Sequence, residues 1–267
     1  LFGHGKKEMS MAIRHVVITG ASSGIGAALA LHYAAQGCFL SLTGRDEARL
    51  AAVAQDCVAL GAGNVQMQLI DVRDQGAMQA WLVNIDAQQP VDLVIANAGI
   101  GAGTGTRKNG ESPEQVQAVF AVNWQGVLNT INPLLPRMIA RGHGHVALMS
   151  SLAAFRGWPG APSYCASKAA VKIYGEGLRG ALQDTGVKVH VICPGFVKSR
   201  MTDSNDFPMP LLISADRAAQ IIARGIEKNR GRIAFPFVTT SFAWLFGVMP
   251  DGLAALILKS MPKKNTL

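Results

Sequence analysis

Residues 15–37 read HVVITGASSGIGAALALHYAAQG. An apolar run ends at Gly20, and Gly24 opens a segment of helical composition that Gly37 closes. The unit is therefore strand, glycine-rich loop, helix. At such a junction Gly20 permits the turn, Gly24 lets backbone approach a phosphate, and Gly26 lets helix and sheet pack closely. The loop Thr19 to Gly26 also carries Ser22, Ser23 and Ile25, and the N–H groups at the helix start would face a pyrophosphate. Alone, the motif also fits a plain strand-to-helix turn; its context is the one a dinucleotide site requires.

The pattern continues outward. FLSLTGR predicts a second strand over about 39–43, and Asp46 opens a helix reaching about Leu60. NVQMQLIDV predicts a third strand ending at Asp71, followed by a helix from Asp74 to about Gln88. VDLVIANAG predicts a fourth strand ending at Asn97. Alternating strands and helices imply a parallel sheet with right-handed crossovers. Past a glycine-rich loop, Gly99 to Gly110, a helical region begins near Ser112 and Pro113 and ends or kinks around Asn132, because Pro133 and Pro136 follow. HVALMSS is the fifth strand, a helix runs from Ser163 to about Asp184, and VKVHVICPG is the sixth strand. Residues 197–213 contain two prolines and no clear period, as suits a loop over a site. Ser214 or Asp216 starts a helix to about Lys228, and RIAFPF is a candidate seventh strand. The expected fold is α/β: a single doubly wound parallel-sheet (Rossmann-type) domain over 11–236, after a mobile leader at 1–10 and before an apolar C-terminal extension at 237–267.

Composition agrees. Of 267 residues, 49% are hydrophobic and 16% charged, which suits a sheet buried on both faces. The formal charge of +8 suits an anionic cofactor or a membrane surface. Lys and Arg are scattered with no aromatic interleaving, which argues against nucleic acid. Cys38, Cys57, Cys165 and Cys193 have no paired spacing, so a reduced, cytoplasmic chain without a metal site is expected.

Chemistry concentrates in residues 150–168, SSLAAFRGWPGAPSYCASK. Ser151 stands thirteen residues before Tyr164, and Lys168 four after it. With Ser163 as helix cap, phenol and ammonium share a helix face. A neighbouring cation favours the phenolate, and bringing the phenol pKa near neutrality takes about 4 kcal/mol of differential interaction. Tyr164 would then exchange a proton with a carbonyl or alcohol oxygen that Ser151 also bonds. Taken alone, this segment also fits an ordinary helix start. At the end of the second strand, where an NAD site commonly places an acid for the ribose diol, the sequence is Thr43, Gly44, Arg45. Arg45 suits a 2′-phosphate, so NADP is favoured over NAD, although a solvated arginine in the first turn of a helix fits as well.

With these motifs the chain resembles the short-chain dehydrogenase/reductase family from Thr19 to Ser199. TGASSGIG resembles the family's cofactor loop, and ANAG at 96–99 resembles its NNAG segment, with Ala96 for the first Asn. The resemblance implies that Asp71, with Val72 beside it, contacts adenine and that Asn97, Ala98 and Gly99 flank the cofactor. It implies that Asn123 holds a proton-relay water, Ser151 orients the carbonyl, Tyr164 is the acid/base, and Lys168 tunes it and binds ribose. PGFVKS, 194–199, would pack on nicotinamide through Pro194 and Gly195, with Val197 and Ser199 near the carboxamide.

Phe155, Trp158, Phe196, Met201, Phe207 and Met209 flank these segments and are expected to line an apolar pocket. The leading expectation is an NADP-dependent enzyme interconverting a carbonyl and a secondary alcohol on a hydrophobic substrate. An NAD-linked dehydrogenase and a non-catalytic cofactor-binding regulator are the alternatives. A homo-oligomer is expected, with the small-residue helix after Ser163 as one candidate contact. The extension contains an 18-residue uncharged run, Ile233 to Pro250. Once the seventh strand takes its share, the rest is too short to span a bilayer. It is left to pack on the cleft, on another subunit, or on lipid with Lys259, Lys263 and Lys264 near headgroups.

Overall fold

The computed structural model describes residues 13–104, 110–203, 205 and 207–259. The expected leader, Lys263, Lys264 and positions 105–109 of the glycine-rich loop lie outside the described residues. Seven parallel strands form one sheet: β1 (His15–Thr19), β2 (Phe39–Gly44), β3 (Asn64–Leu69), β4 (Leu93–Ala96), β5 (Gly144–Met149), β6 (Val187–Pro194) and β7 (Arg232–Phe235). Their order is β3-β2-β1-β4-β5-β6-β7. Strand β1 therefore has β2 on one side and β4 on the other, so the connections diverge at its carboxyl end and leave a crevice there.

The apolar strands are buried on both faces. Val16 and Ile18 of β1 pack into one cluster with Leu29, Tyr33, Ile222 and Ile226, and Val17 into the opposite one with Leu82, Ile85, Ile131 and Val171. A two-residue period thus feeds two cores, which is why the run is apolar without alternation. The first layer comprises α1 (Gly24–Ala34), α2 (Glu47–Ala59) and, later in the chain, a helix at 215–227. The second comprises α3 (Gln75–Gln88), α4 (Pro113–Phe120), α5 (Gly126–Ile131), α6 (Leu135–Arg141) and α7 (Pro162–Ala181). A wider helical turn, Ala121–Gln125, joins α4 to α5, and a 3-10 turn, Leu152–Ala154, follows β5. Next come α8 (Arg200–Asp203), α9 (Ala215–Glu227), α10 (Phe237–Val248) and α11 (Asp251–Lys259).

Helix starts follow the expected chemistry. The side chains of Asp46, Asp74, Ser112 and Ser214 each accept from the backbone N–H three residues on. Helix α7 differs from expectation: its N-cap is Ala161, Pro162 occupies the first turn, and Ser163 lies inside the helix. The cap comes from elsewhere, since Glu111 Oε2 accepts from the Ser163 N–H at 2.8 Å. Strand β4 ends at Ala96 rather than Asn97, which turns away to bond the Ile95 carbonyl. The expected loop over 197–213 contains α8 and is pinned at its neck by a parallel bridge between Val197 and Ile213. Gly175 faces the sheet, where an added Cβ would lie 2.6 Å from Val191 and 2.8 Å from Leu148. No helix among the described residues is long and apolar enough to cross a membrane.

Candidate active site

The crevice widens into a cavity of about 1240 Å³ at the carboxyl ends of the strands. At its floor, Gly20 has φ +65°, and a Cβ there would stand 2.8 Å from Ala98 Cα. A Cβ on Gly26 would run into the Gly20 carbonyl and the Asn97 amide. Any side chain at either position would force β1, α1 and the β4 loop apart. The same three segments are tied by hydrogen bonds. Thr19 Oγ1 accepts from the N–H groups of Asn97 and Ala98, both at 3.1 Å, and Asn97 Nδ2 donates to the carbonyls of Thr19 and Gly20. Sequence reasoning passed over this role of Thr19. Helix α1 starts from Ser23 with no side-chain cap and no acid in its first turn. Its bare N–H groups and positive dipole end suit a phosphate, so the donor set fits a dinucleotide.

Ser22, Ser23, Gly24, Ile25, Asp71, Val72, Asn97, Ala98 and Gly99 all line this end of the cavity. Gly26 does not: it packs beneath Gly20. Arg45 also lines it, with its side chain 62% exposed and Nη1 3.9 Å from Asp71 Oδ2. Arg73 grips Asp71 more closely, at 2.7 Å through Nη2 and 3.0 Å through Nε. That hydrogen bonding holds the Asp71 carboxyl below its ordinary value, although burial opposes it. Asp46 is spent on α2: it caps the Arg49 N–H and pairs with the Arg49 guanidinium at 2.8 Å.

Ser151, Tyr164 and Lys168 meet on the wall of the cavity. Ser151 lies in extended backbone just past β5, and its Oγ accepts from the Ala153 N–H at 3.1 Å. Tyr164 and Lys168 are one turn apart on α7, with Lys168 Nζ 5.9 Å from the centroid of the phenol ring. Lys168 is 3% exposed, and Nζ donates to the Met149 carbonyl at 2.9 Å. Burial pushes the Tyr164 phenol above its ordinary value, and the hydrogen bond with Ser151 acts against this. The expected lowering draws on a cationic nicotinamide ring as well as the lysine; in the protein alone, burial is the largest influence on the phenol.

Asn123 is fully buried in the wide turn before α5 and does not reach the cavity wall. Its Oδ1 accepts from the Ile100 N–H at 2.8 Å, and its Nδ2 donates to the Ile100 carbonyl and to Ser167 Oγ. Ser167 in turn donates to the Tyr164 carbonyl at 2.8 Å. A Cβ on Gly99 would sit between Asn123 Oδ1 and Lys168 Nζ, at 3.2 and 3.3 Å. The amide thus fixes the Gly99–Ile100 backbone beside Lys168 and, through Ser167, the turn bearing Tyr164.

Pro194, the last residue of β6, and Gly195, Val197 and Ser199 beyond it line the cavity. Beyond them its far end is apolar. Phe155, Trp158, Phe196, Met201 and Phe207 line it, with Phe207 edge-on to Trp158 at 5.4 Å. Met209 is not on this wall; its sulfur accepts from Asn205 Nδ2. Among the residues that sequence reasoning did not place here, four come from α10: Thr239, Phe242, Ala243 and Phe246. Helix α10 thus lines this end of the cavity on one side, while Phe237, Trp244, Leu245 and Val248 lie exposed on its outer side. All four cysteines are free and buried. Among the described residues no group of His, Cys, Asp and Glu could hold a metal ion.

A sequence model of the short chain dehydrogenase family matches residues 14–208. An "uncharacterized oxidoreductase" of Myxococcus xanthus is 37% identical over 245 residues, 91% of this chain and 95% of that protein. Among solved structures, a short-chain dehydrogenase from Sphingobium yanoikuyae in complex with NADPH superposes with a TM-score of 0.78 at 23% identity, covering 95% of this chain and 98% of the other. One from Mycobacterium paratuberculosis bound to NAD gives 0.74 at 21%, covering 85% and 98%. At these identities the two structures speak to the fold.

Proposed function

The chain belongs to the short-chain dehydrogenase family, and from that premise we propose that it is an NADP-dependent oxidoreductase that interconverts a carbonyl and a secondary alcohol on a hydrophobic substrate. That it is an NAD(P)-dependent oxidoreductase follows from the family. The finer reading rests on one observation: the cavity runs from a phosphate-suited helix start flanked by Arg45, past Ser151, Tyr164 and Lys168, to an aromatic far end.

When bound, the nicotinamide supplies or accepts the hydride. The protein's own groups do the rest. Ser151 Oγ hydrogen-bonds the substrate oxygen, and Tyr164, held protonated by burial, donates its proton to that oxygen as charge develops there. Lys168, fixed by the Met149 carbonyl, would offer its ammonium to ribose hydroxyls and its charge to the phenol. Asn123 acts as a positioning residue for Gly99, Ile100 and the Tyr164 turn. The N–H groups of α1 would hold the pyrophosphate, and Asp71 and Val72 would stand beside the adenine. Pro194, Gly195, Val197 and Ser199 would hold the nicotinamide end. The aromatic far end favours a bulky apolar group on the substrate carbon. Turnover of a panel of aliphatic and aryl ketones and secondary alcohols, followed by nicotinamide absorbance with each cofactor, tests the reading. A protein that binds cofactor but turns over none of them would contradict it.

Cofactor preference has its own test. Arg45 is the exposed cation at the end of β2, and Asp46 is already engaged with α2. A charge-assisted bond contributes about 1.5–3 kcal/mol, so Arg45→Ala is expected to weaken NADP binding by about 10- to 150-fold and to leave NAD binding nearly unchanged. Equal wild-type affinity for the two cofactors in a titration would rule the preference out.

A further inference from the structure

We propose that Arg156 is a positioning residue that holds α10 as a wall of the substrate end of the cleft and so sets the preference among apolar substrates of different length. The proposal rests on the reading of the cleft just given. Arg156 stands five residues after Ser151 and eight before Tyr164, yet its partners lie about ninety residues away. Its Nη1 donates to the carbonyls of Phe246 and Met249 at 3.0 and 2.7 Å, and Nη2 to Asp251 Oδ1 at 2.6 Å. The guanidinium also lies 5.4 Å from the centroid of the Phe246 ring.

Carbonyls at a helix C-terminus lack partners within the helix, and a cation is favourable there. One planar fork satisfies two of them and reaches the first residue of α11, which the point charge of a lysine cannot reproduce. The Asp251 carboxylate is fully exposed, so the carbonyl bonds carry the clamp. A second observation shows the same intimacy. A Cβ on Gly247 would stand 2.8 Å from the Phe155 carbonyl oxygen, so α10 and the Ser151 loop meet backbone to backbone. Helix α10 in turn gives the cavity Phe242 and Phe246. Arg156 itself also lines the cavity, so exchange in α10 is the readout that separates its clamp from a direct contact; loosening it moves the apolar wall and leaves Ser151, Tyr164 and Lys168 in place.

The test compares wild type, Arg156→Lys, Arg156→Met and Gly247→Ala on a series of straight-chain methyl ketones, with amide hydrogen exchange of residues 237–248. Arg156→Met is expected to raise KM for the longest ketones by roughly ten-fold more than for the shortest, with kcat little changed. Exchange in α10 should accelerate by at least about ten-fold, and Arg156→Lys should fall between. Gly247→Ala, which separates the same two segments from the other side, should give the same pattern and serves if Arg156→Met does not fold. Unchanged exchange in α10, or a loss equal at every chain length and accompanied by weaker cofactor binding, would overturn the proposal. A wild type inactive on every ketone would sink the reading of the cleft, and the exchange comparison would still decide whether Arg156 clamps α10.

Discussion

Tyr164→Phe is expected to lower carbonyl reduction by about 10²- to 10⁴-fold, the range for losing a general acid, while cofactor affinity stays within roughly two-fold. The substitution removes one oxygen from a ring that otherwise keeps its place on α7. Lys168→Ala should reduce both turnover and cofactor affinity if, as proposed, that ammonium serves the phenol and the ribose together. The raised phenol pKa gives the pH dependence its sign. Protonated Tyr164 is the form that reduces a carbonyl, so reduction should hold through neutral pH and decline only on the alkaline side. Oxidation of the alcohol needs the deprotonated form and should climb over that same alkaline range. Steady-state rates in both directions across pH would check this. Substantial reduction by Tyr164→Phe would remove the tyrosine from the mechanism.

The largest effect on stability is expected far from the cleft, at Asp86 on α3. Its side chain is 3% exposed; it receives Arg137 Nε at 2.5 Å, Arg141 Nη1 at 2.8 Å and the Val91 N–H at 2.9 Å. Asp86→Ala strips a buried N–H of its acceptor and leaves Arg141 without its counter-charge. Breaking a buried pair from one side costs about 3–5 kcal/mol. Arg137 is 40% exposed and its share is screened, so a cost near about 3 kcal/mol is expected, read as a lower urea midpoint with unchanged slope. Arg137→Ala should cost less than half of that. Burial alone would raise the Asp86 carboxyl, but the bonds from Arg137, Val91 and Arg141 outweigh it and hold it below 3.8. Below that pH the unfolded chain takes the proton first, so the contribution is complete above 3.8 and disappears as pH falls through the folded value. Asp86→Ala should lose that acid-side slope. It should keep the decline between about 6.5 and 3 that comes from His190, which burial pushes down to about 3. An urea midpoint within error of wild type would show that the cluster is not structural.

What could be read in advance divides along physical lines. The strand, loop and helix at 15–37, and the spacing of Tyr164 and Lys168, are local: short-range period and glycine placement determine them, and both stand in the structure as read. Asp46, Asp74, Ser112 and Ser214 cap because a cap acts within three residues. Contacts across the chain leave no such mark. Ser163 looked like the cap of α7, but Glu111, 52 residues earlier, supplies it. Arg156 offered one signal, a lone cation in AAFRGWPGAP with no acid nearby to pair with, and such a cation needs a partner from afar. The path of α10 was hidden for another reason. Its sequence is apolar nearly all round, so no stripe distinguished the face toward the cavity from the face left exposed. The burial of the phenol is another property that spacing does not reveal: it depends on segments from across the chain.

The knot of Thr19, Gly20, Gly26 and Asn97 bears on how this protein can change over generations. Its bonds join the end of β1 and the glycine after it to the loop that follows β4, and each glycine is in contact with backbone. A side chain at Gly20 or Gly26 would meet backbone at once, so a substitution there disturbs the floor of the cavity and the packing of the sheet together. The other end of the same cavity is furnished by side chains on a helix laid down after the sheet is complete. Replacing Phe242 or Ala243 alters the shape presented to a substrate and leaves every strand pairing as it was. Innovation in what the protein acts on is thus cheap at the C-terminal helix, and inheritance of how it binds its nucleotide is strict at the first strand.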